Sequence, residues 1–199
     1  MMILFLTNNE ISLPLFNWLK GKGENVILYE GKINPLYIEQ NNISFIISYN
    51  YRSILKPELI NLMPHKIINL HTSYLPYNKG ASPNIWSFIE GTPCGVTIHE
   101  INRGIDTGDI LVQKEIKYDF KIETLASSYQ KSNNMIQSLF IENWDNLKNN
   151  KIKPQQQKEK GTFHLSKDLE QYKEIINYND TIEVFLNKIE ISKNKKNNT

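Results

Sequence analysis

The chain has 199 residues, 40% of them hydrophobic and 22% charged, ordinary values for a globular protein large enough to bury one core. Its 23 basic and 21 acidic residues leave a formal charge of +2, so no global field marks it for nucleic acid. A single cysteine, Cys94, excludes a disulfide framework and any multi-cysteine metal site, and no run nears the roughly 18 apolar residues that span a bilayer.

Ile3 to Leu6 is a short apolar run closed by Thr7-Asn8-Asn9, the pattern of a buried strand running into a loop. The opening MMILFL lacks the basic flank and small-residue cleavage site of a signal peptide, so a cytoplasmic protein is expected. Ile11, Leu15, Trp18 and Leu19 recur at helical spacing, and Gly21 and Gly23 end that helix. Val26 to Tyr29, Ser44 to Ser48 and Lys66 to Leu70 read as further strands, with short helices at Leu36 to Gln40 and Pro57 to Leu62 between them. Gly95 to Ile101 and Ile110 to Ile116 are two later strands flanking the loop NRGIDTGD. A long helix from about Glu123 to Lys148 follows, with Leu125, Tyr129, Ile136, Leu139, Phe140 and Trp144 as its apolar stripe.

Beyond Lys153-Pro154 the chain turns polar. Ile152, Phe163 and Leu165 alternate beside Gly161 in a way that suits a two-stranded hairpin, and a charged, helix-compatible segment follows. The end is Asn-rich and basic (Lys188, Lys193, Lys195, Lys196), which reads as a solvated, frayed tail. The fold class expected is α/β: a Rossmann-like open, mostly parallel twisted sheet with helices on both faces, plus a small C-terminal hairpin/helix appendage. The division expected is a catalytic domain over residues 1–150 and an appendage with a disordered basic tail over 151–199. An isolated hairpin needs another surface, so a homodimer joined through the C-terminal segment is expected.

In such sheets the site lies beyond the carboxyl ends of the strands, which directs attention to the loops after Leu6, Ser48 and Leu70. The segment IINLHTSYLPYNKG delivers Asn69 and His71 on one side of a strand, because residues two apart share a face. An amide beside an imidazole can polarise a carbonyl and hold an oxyanion, and imidazole exchanges protons near neutral pH. Further on, Asp106 stands between Gly104 and Gly108, where a carboxylate could pair with His71 and collect a proton. No Ser or Cys stands where a nucleophile would be needed, so the chemistry implied is direct acyl transfer between bound substrates. The residues alone leave blander readings open: a histidine at a strand end is often a satisfied core residue, and an aspartate between glycines a turn residue. Cys94, in a turn between Pro93 and Gly95, reads as a buried structural thiol.

The run NLHTSYLPYNKGASPNIW followed by GVTIHEINRGIDTGDIL resembles the core of the folate-dependent formyltransferases, whose pattern is Asn-x-His-x-Ser-x-Leu-Pro and then Asp-x-Gly. Asn69, His71, Ser73, Leu75, Pro76, Asp106 and Gly108 supply every element, and weaker similarity reaches about residue 170. The resemblance implies 10-formyl-tetrahydrofolate as formyl donor and no metal. It implies Asn69 and His71 as oxyanion holders, with Asp106 orienting His71 and taking up the proton. It places the folate against Tyr51, Arg52, Ile54 and Leu55 and against Arg103, Gly104 and Ile105.

Among the branches of that family, the tRNA enzymes carry a substantial C-terminal domain, and the glycinamide ribonucleotide enzymes need a Gly/Ser-rich phosphate loop where this chain has TNNEISLP. The sequence is most similar to the sugar-nucleotide N-formyltransferases, which share the YNYRSIL segment and the run from Lys153 to Asp168. That branch implies a nucleotide-linked amino-deoxy sugar as acceptor, first of all dTDP-4-amino-4,6-dideoxyglucose, made for surface polysaccharide such as O-antigen. Asn8, Asn9, Ser73, Tyr77, Lys79, Gly80, Phe163 and His164 are the expected acceptor-site residues, with Tyr74, Tyr77, Trp86 and Phe163 as stacking surfaces. Glycinamide ribonucleotide formylation and hydrolysis of the same folate remain the alternatives.

Overall fold

The computed structural model describes residues 1–197. Eight strands and six helices follow one another as β1 (Met2–Leu6), α1 (Leu13–Gly21), β2 (Asn25–Tyr29), α2 (Pro35–Gln40), β3 (Ile43–Tyr49), α3 (Pro57–Leu62), β4 (Ile67–His71), β5 (Lys79–Gly80), α4 (Pro83–Glu90), β6 (Gly95–Glu100), β7 (Ile110–Glu115), α5 (Leu125–Lys148), β8 (Phe163–His164) and α6 (Ile182–Asn197). Six strands form one sheet in the order β2-β1-β3-β4-β6-β7. The first four run parallel, and β6 and β7 each pair antiparallel with the strand before them in that order.

The unbroken apolar runs have a direct cause. Ile3 and Phe5 of β1 face a cluster built with Leu15 and Leu19 of α1 and Ile136, Phe140 and Trp144 of α5. Leu4 and Leu6 face the other side, against Ile38 of α2 and Leu59 of α3. A strand covered on both faces has no solvent side to place polar residues on. Helix α5 is fixed at its start by Thr124, whose hydroxyl accepts from the Ser127 amide while Ser127 Oγ accepts from the Thr124 amide. No described helix is long and apolar enough to cross a membrane.

The C-terminal third departs from the expectation in two ways. Among the described residues the expected hairpin does not form: β8 pairs in parallel with β5, Lys79 opposite Phe163 and Gly80 opposite His164. That partner lies far earlier in the chain, and no local alternation could announce it. The basic end, expected as a frayed tail, is helical as far as Asn197. Ile182, Phe185 and Ile189 along one face of α6 join Ile85, Trp86 and Phe88 of α4 in a third apolar cluster. Lys188 pairs with Asp180. Charged and Asn residues between the apolar ones hide that stripe from a composition-based reading. Residues 198 and 199, the last of the expected tail, lie outside the described residues. Helix α4 opens on Pro83, whose missing N–H costs nothing in the first turn, while Ser82 before it sits at φ +51° and makes no side-chain cap.

Candidate active site

Strand β4 ends at His71 and the chain then turns through Ser73 to Asn78, with a cis peptide between Leu75 and Pro76. Ser73 fastens this turn from within: its hydroxyl donates to the Tyr77 carbonyl at 2.7 Å. At the carboxyl end of the sheet lies a cleft of about 1030 Å³, lined from β3, β4, β6 and the loops that follow them. Asn69, His71 and Asp106 all line it, so residues far apart in sequence converge as expected.

Asp106 is the hub. It sits in a left-handed conformation, φ +51°, on the loop between β6 and β7. Its Oδ1 accepts from Asn69 Nδ2 at 3.1 Å and its Oδ2 from the Gly80 amide at 2.8 Å. His71 Nδ1 stands 3.7 Å from Oδ2, and His99 Nε2 stands 3.4 Å from Oδ1. His99, which sequence reasoning missed, lies opposite Asn69 in the β4–β6 register and is fully buried. Its Nε2 is 3.2 Å from Asn69 Nδ2, while its Nδ1 lies 2.7 Å from the Glu100 carbonyl. A carbonyl only accepts, so Nδ1 carries the proton and Nε2 accepts from Asn69. Both hydrogens of the Asn69 amide are thereby used, one on Asp106 and one on His99.

The same rule assigns His71. Its Nε2 lies 3.1 Å from the Asn78 carbonyl and must be the N–H, which leaves a lone pair at Nδ1 facing the Asp106 carboxylate. Burial pushes the His71 imidazole below its ordinary value of 6.5, with Asp106 pulling the other way. Burial would raise Asp106, but the attraction it has for a proton on His71 or on His99, together with the Gly80 amide, outweighs it, and the carboxyl is held well below the usual range. The resting pair is therefore a neutral imidazole beside a carboxylate, with one vacant proton position between them. A proton delivered to Nδ1 creates an ion pair in a buried site, the arrangement needed to collect a proton from an amine as it attacks.

Both shifts bear on stability with the same sign. A histidine whose folded pKa lies below 6.5 contributes fully above 6.5, and that stability declines as pH falls toward the folded value. A depressed carboxyl contributes above its unfolded 3.8 and loses that contribution as pH falls toward its folded value. Urea midpoints should therefore drop in two stages on acidification, the first smaller in His71→Asn and the second smaller in Asp106→Asn. Identical acid profiles for wild type and both variants would contradict this electrostatic picture.

The remaining expected residues divide. Tyr51, Arg52, Ile54, Leu55, Arg103, Gly104 and Ile105 all line the cleft. Ile54 there is 75% exposed and Ile105 39%, apolar surface of the kind a flat ring system would cover. Asn8, Asn9, Gly80, Phe163 and His164 line the cleft as well. Asn8 also stitches the loops together, donating to the Glu30 carbonyl and accepting from the Arg52 amide, each at 2.9 Å. Asn9 accepts from the Ile11 amide and donates to Tyr129 Oη, both at 3.1 Å. Tyr129, expected in the core stripe of α5, therefore points to the cleft wall, and Tyr178 joins it.

Three expected acceptor-site residues lie elsewhere. Ser73 is buried in its turn, Tyr77 reaches out to Glu159 at 3.0 Å, and Lys79 is buried with Nζ on the Lys160 carbonyl at 3.1 Å. None of them lines the cleft. Lys79 turns to the Lys160 carbonyl even though the amide of its neighbour Gly80 meets Asp106. Trp86 is core rather than a stacking surface for a ligand, with its ring laid flat on His164 at 3.8 Å. Tyr74 is likewise absent from the cleft wall, and it packs against Gly95, where any Cβ would meet its ring. Cys94 is half-buried, burial raising its thiol, with Sγ 3.3 Å from Ser87 Oγ. That protonated thiol has no part in the site.

The sequence model of the formyl transferase family matches residues 29–143, more than half of the chain. The chain belongs to the formyl transferase family. Its fold superimposes on the crystal structure of the formyltransferase PseJ from Anoxybacillus kamchatkensis, in complex with UDP-4,6-dideoxy-4-formamido-L-AltNAc and tetrahydrofolate, with a TM-score of 0.87. The two are 37% identical, and the match covers 94% of this chain and 99% of that one. The dTDP-4-amino-4,6-dideoxyglucose formyltransferase of Mycobacterium tuberculosis is 26% identical over 204 residues, covering 95% of this chain and 85% of the relative. A methionyl-tRNA formyltransferase from Thermodesulfovibrio yellowstonii is 35% identical over 164 residues, which is 80% of this chain and 50% of the relative. This chain thus spans about half the length of that tRNA enzyme.

Proposed function

We propose that this formyltransferase moves a formyl group from 10-formyl-tetrahydrofolate to the amine of a nucleotide-linked 4-amino-4,6-dideoxy sugar. The observation that carries the reading is the Asn69–His71–Asp106 set converging in one cleft whose wall also offers exposed apolar surface at Ile54 and Ile105. We assign the folate to the wall of Tyr51, Arg52, Ile54, Leu55, Arg103, Gly104 and Ile105, where Ile54 and Ile105 offer the apolar surface for a pterin. The folate supplies an activated formyl group. The amine would attack the formyl carbon while its proton passes to Nδ1 of His71, where Asp106 stabilises the imidazolium. That imidazolium, and Asn69 on turning one amide N–H away from His99, would hold the carbonyl oxygen as it becomes negative. On collapse the bond from the formyl carbon to the folate nitrogen would break, with the proton returned from His71 to that nitrogen and tetrahydrofolate released. We assign the acceptor to the wall of Asn8, Asn9, Gly80, Phe163 and His164.

The sequence reading put a dTDP sugar first. The higher identity and full-length match to PseJ, whose structure holds a UDP-linked 4-formamido sugar, favour a UDP-linked acceptor as the second reading. Both share a pyrimidine nucleoside diphosphate and a 4-amino-4,6-dideoxy ring. Assaying the formyl donor against UDP- and dTDP-linked 4-amino-4,6-dideoxy sugars, a GDP-linked counterpart and glycinamide ribonucleotide tests the proposal. Turnover is expected with one of the first two and none with glycinamide ribonucleotide; robust formylation of the latter, or folate hydrolysis at a rate indifferent to amine, would overturn it. The product would serve surface polysaccharide such as O-antigen or lipopolysaccharide, with the enzyme in the cytoplasm beside its folate and sugar-nucleotide pools.

A homodimer through the C-terminal segment belongs to the same proposal. Val184 and Ile191 remain exposed on the face of α6 opposite Ile182, Phe185 and Ile189, and Ile122 is exposed just before α5. Sedimentation at micromolar concentration should give a dimer, and Val184→Glu with Ile191→Glu should give a monomer. A wild-type monomer would remove the idea.

A further inference from the structure

Gln155 and Ile110 exchange both backbone hydrogen bonds at 2.8 Å, so the polar segment after α5 runs antiparallel beside the catalytic loop. An ordinary ladder would continue by giving backbone amides to the carbonyls of Gly108 and Asp106. It cannot do so here, because Asp106 is left-handed and turns the loop away from strand geometry. The Gln157 side chain takes over: its Nε2 donates to the Asp106 carbonyl at 2.9 Å and to the Gly108 carbonyl at 2.8 Å. Two acceptors facing one atom fix that atom as the amide nitrogen. Oε1, by contrast, is buried with no hydrogen-bond partner. The side chain is thus oriented for the loop and not for its own satisfaction. On the far side the loop has no slack, since a Cβ at Gly108 would lie 1.7 Å from the Glu100 carbonyl oxygen.

From this geometry we infer that Gln157 is a positioning residue for catalysis, holding the backbone on both sides of Thr107 so that the Asp106 carboxylate stays on Asn69, Gly80 and His71. The inference rests on the formyl-transfer reading of the site. It does not require Gln157 to touch either substrate, and Gln157 does not line the cleft.

The test is a double-mutant cycle on the full chain with the formyl donor and the acceptor identified by the panel above. Gln157→Leu keeps the bulk and removes both donors; kcat is expected to fall about tenfold with both KM values within about twofold. In an Asp106→Asn background the same substitution should cost less than about twofold more, because a residue that acts through Asp106 has nothing left to position. Gln157→Asn, too short to reach both carbonyls, should give an intermediate loss and the same disappearance, and it carries the test if the Leu variant does not fold. Unchanged kcat in these variants, or an undiminished loss in the Asp106→Asn background, overturns the inference. Near-normal turnover of Asp106→Asn alone would instead sink the reading of the site, so the two failures are told apart.

Discussion

Asp106→Asn is expected to lower kcat by about a hundredfold to a thousandfold while leaving the protein folded. The substitution is close in shape, so the loss must come from charge and hydrogen-bond direction. Asp106 accepts at both oxygens, from Asn69 Nδ2 and from the Gly80 amide. An amide in its place offers one oxygen and one NH2 group, so a donor faces a donor at one of those contacts. The second loss is at His71, whose Nδ1 lies 3.7 Å from Oδ2. Without the carboxylate a proton arriving there makes an unpaired buried imidazolium, which burial already disfavours. His71→Ala should be as damaging for the complementary reason that the proton acceptor itself is gone. Steady-state rates at saturating donor and acceptor decide the matter, with melting curves to confirm the fold. Turnover within about tenfold of wild type in Asp106→Asn would refute the assigned role.

The largest expected effect on stability lies elsewhere. Trp144 is 1% exposed and joins the sheet to α5. Phe45 meets it edge-on at 5.8 Å, Phe140 stacks at 5.1 Å, and Nε1 donates to Glu24 at 2.7 Å. Trp144→Ala removes all of these and leaves a large void, at a cost of about 3–5 kcal/mol. For a chain of this size that is a fall in Tm of roughly 10 °C or more. Trp144→Phe, which keeps the ring stack and loses only the indole donor, should cost about half as much or less. Because Trp144 does not line the cleft, Trp144→Ala enzyme assayed well below its Tm should keep a near-normal KM. A urea midpoint shift worth under 1 kcal/mol would show that α5 is held by other contacts.

The proposed catalytic set was legible because its residues stand in local motifs, although it was the family resemblance of those motifs that set it apart from core and turn residues. Asn69 and His71 sit two apart at a strand end, and Asp106 stands in a glycine-flanked turn; each pattern survives without knowledge of the fold. The fold class was legible for a similar reason, since strands buried on both faces must be apolar throughout. What escaped depends on pairings across the chain. His99 reaches the site only because β6 lies antiparallel to β4 with Asn69 opposite it, 30 residues away in sequence. The expected hairpin failed because Phe163 and His164 pair with Lys79 and Gly80 instead of with their own neighbours. Ser73, Tyr77 and Lys79 belong to the motif segment, yet their side chains hold the loop's outer side. Proximity in sequence to His71 does not place a side chain in its cleft.

The pairing of β5 with β8 has a consequence for the order of events during synthesis. Gly80 and Gly161 each leave room for another strand's backbone: a Cβ would come within 2.2 Å of the His164 carbonyl oxygen at the first and 1.9 Å of the Pro76 carbonyl oxygen at the second. The loop bearing Gly80, whose amide holds the Asp106 carboxylate, is therefore completed by residues made more than eighty positions later. A nascent chain paused near Lys148 already has every strand of the main sheet. It still lacks the clamp on the Asp106 loop and the wall of Phe163 and His164. On the proposed function, a fragment of that length should therefore bind little acceptor and turn over none.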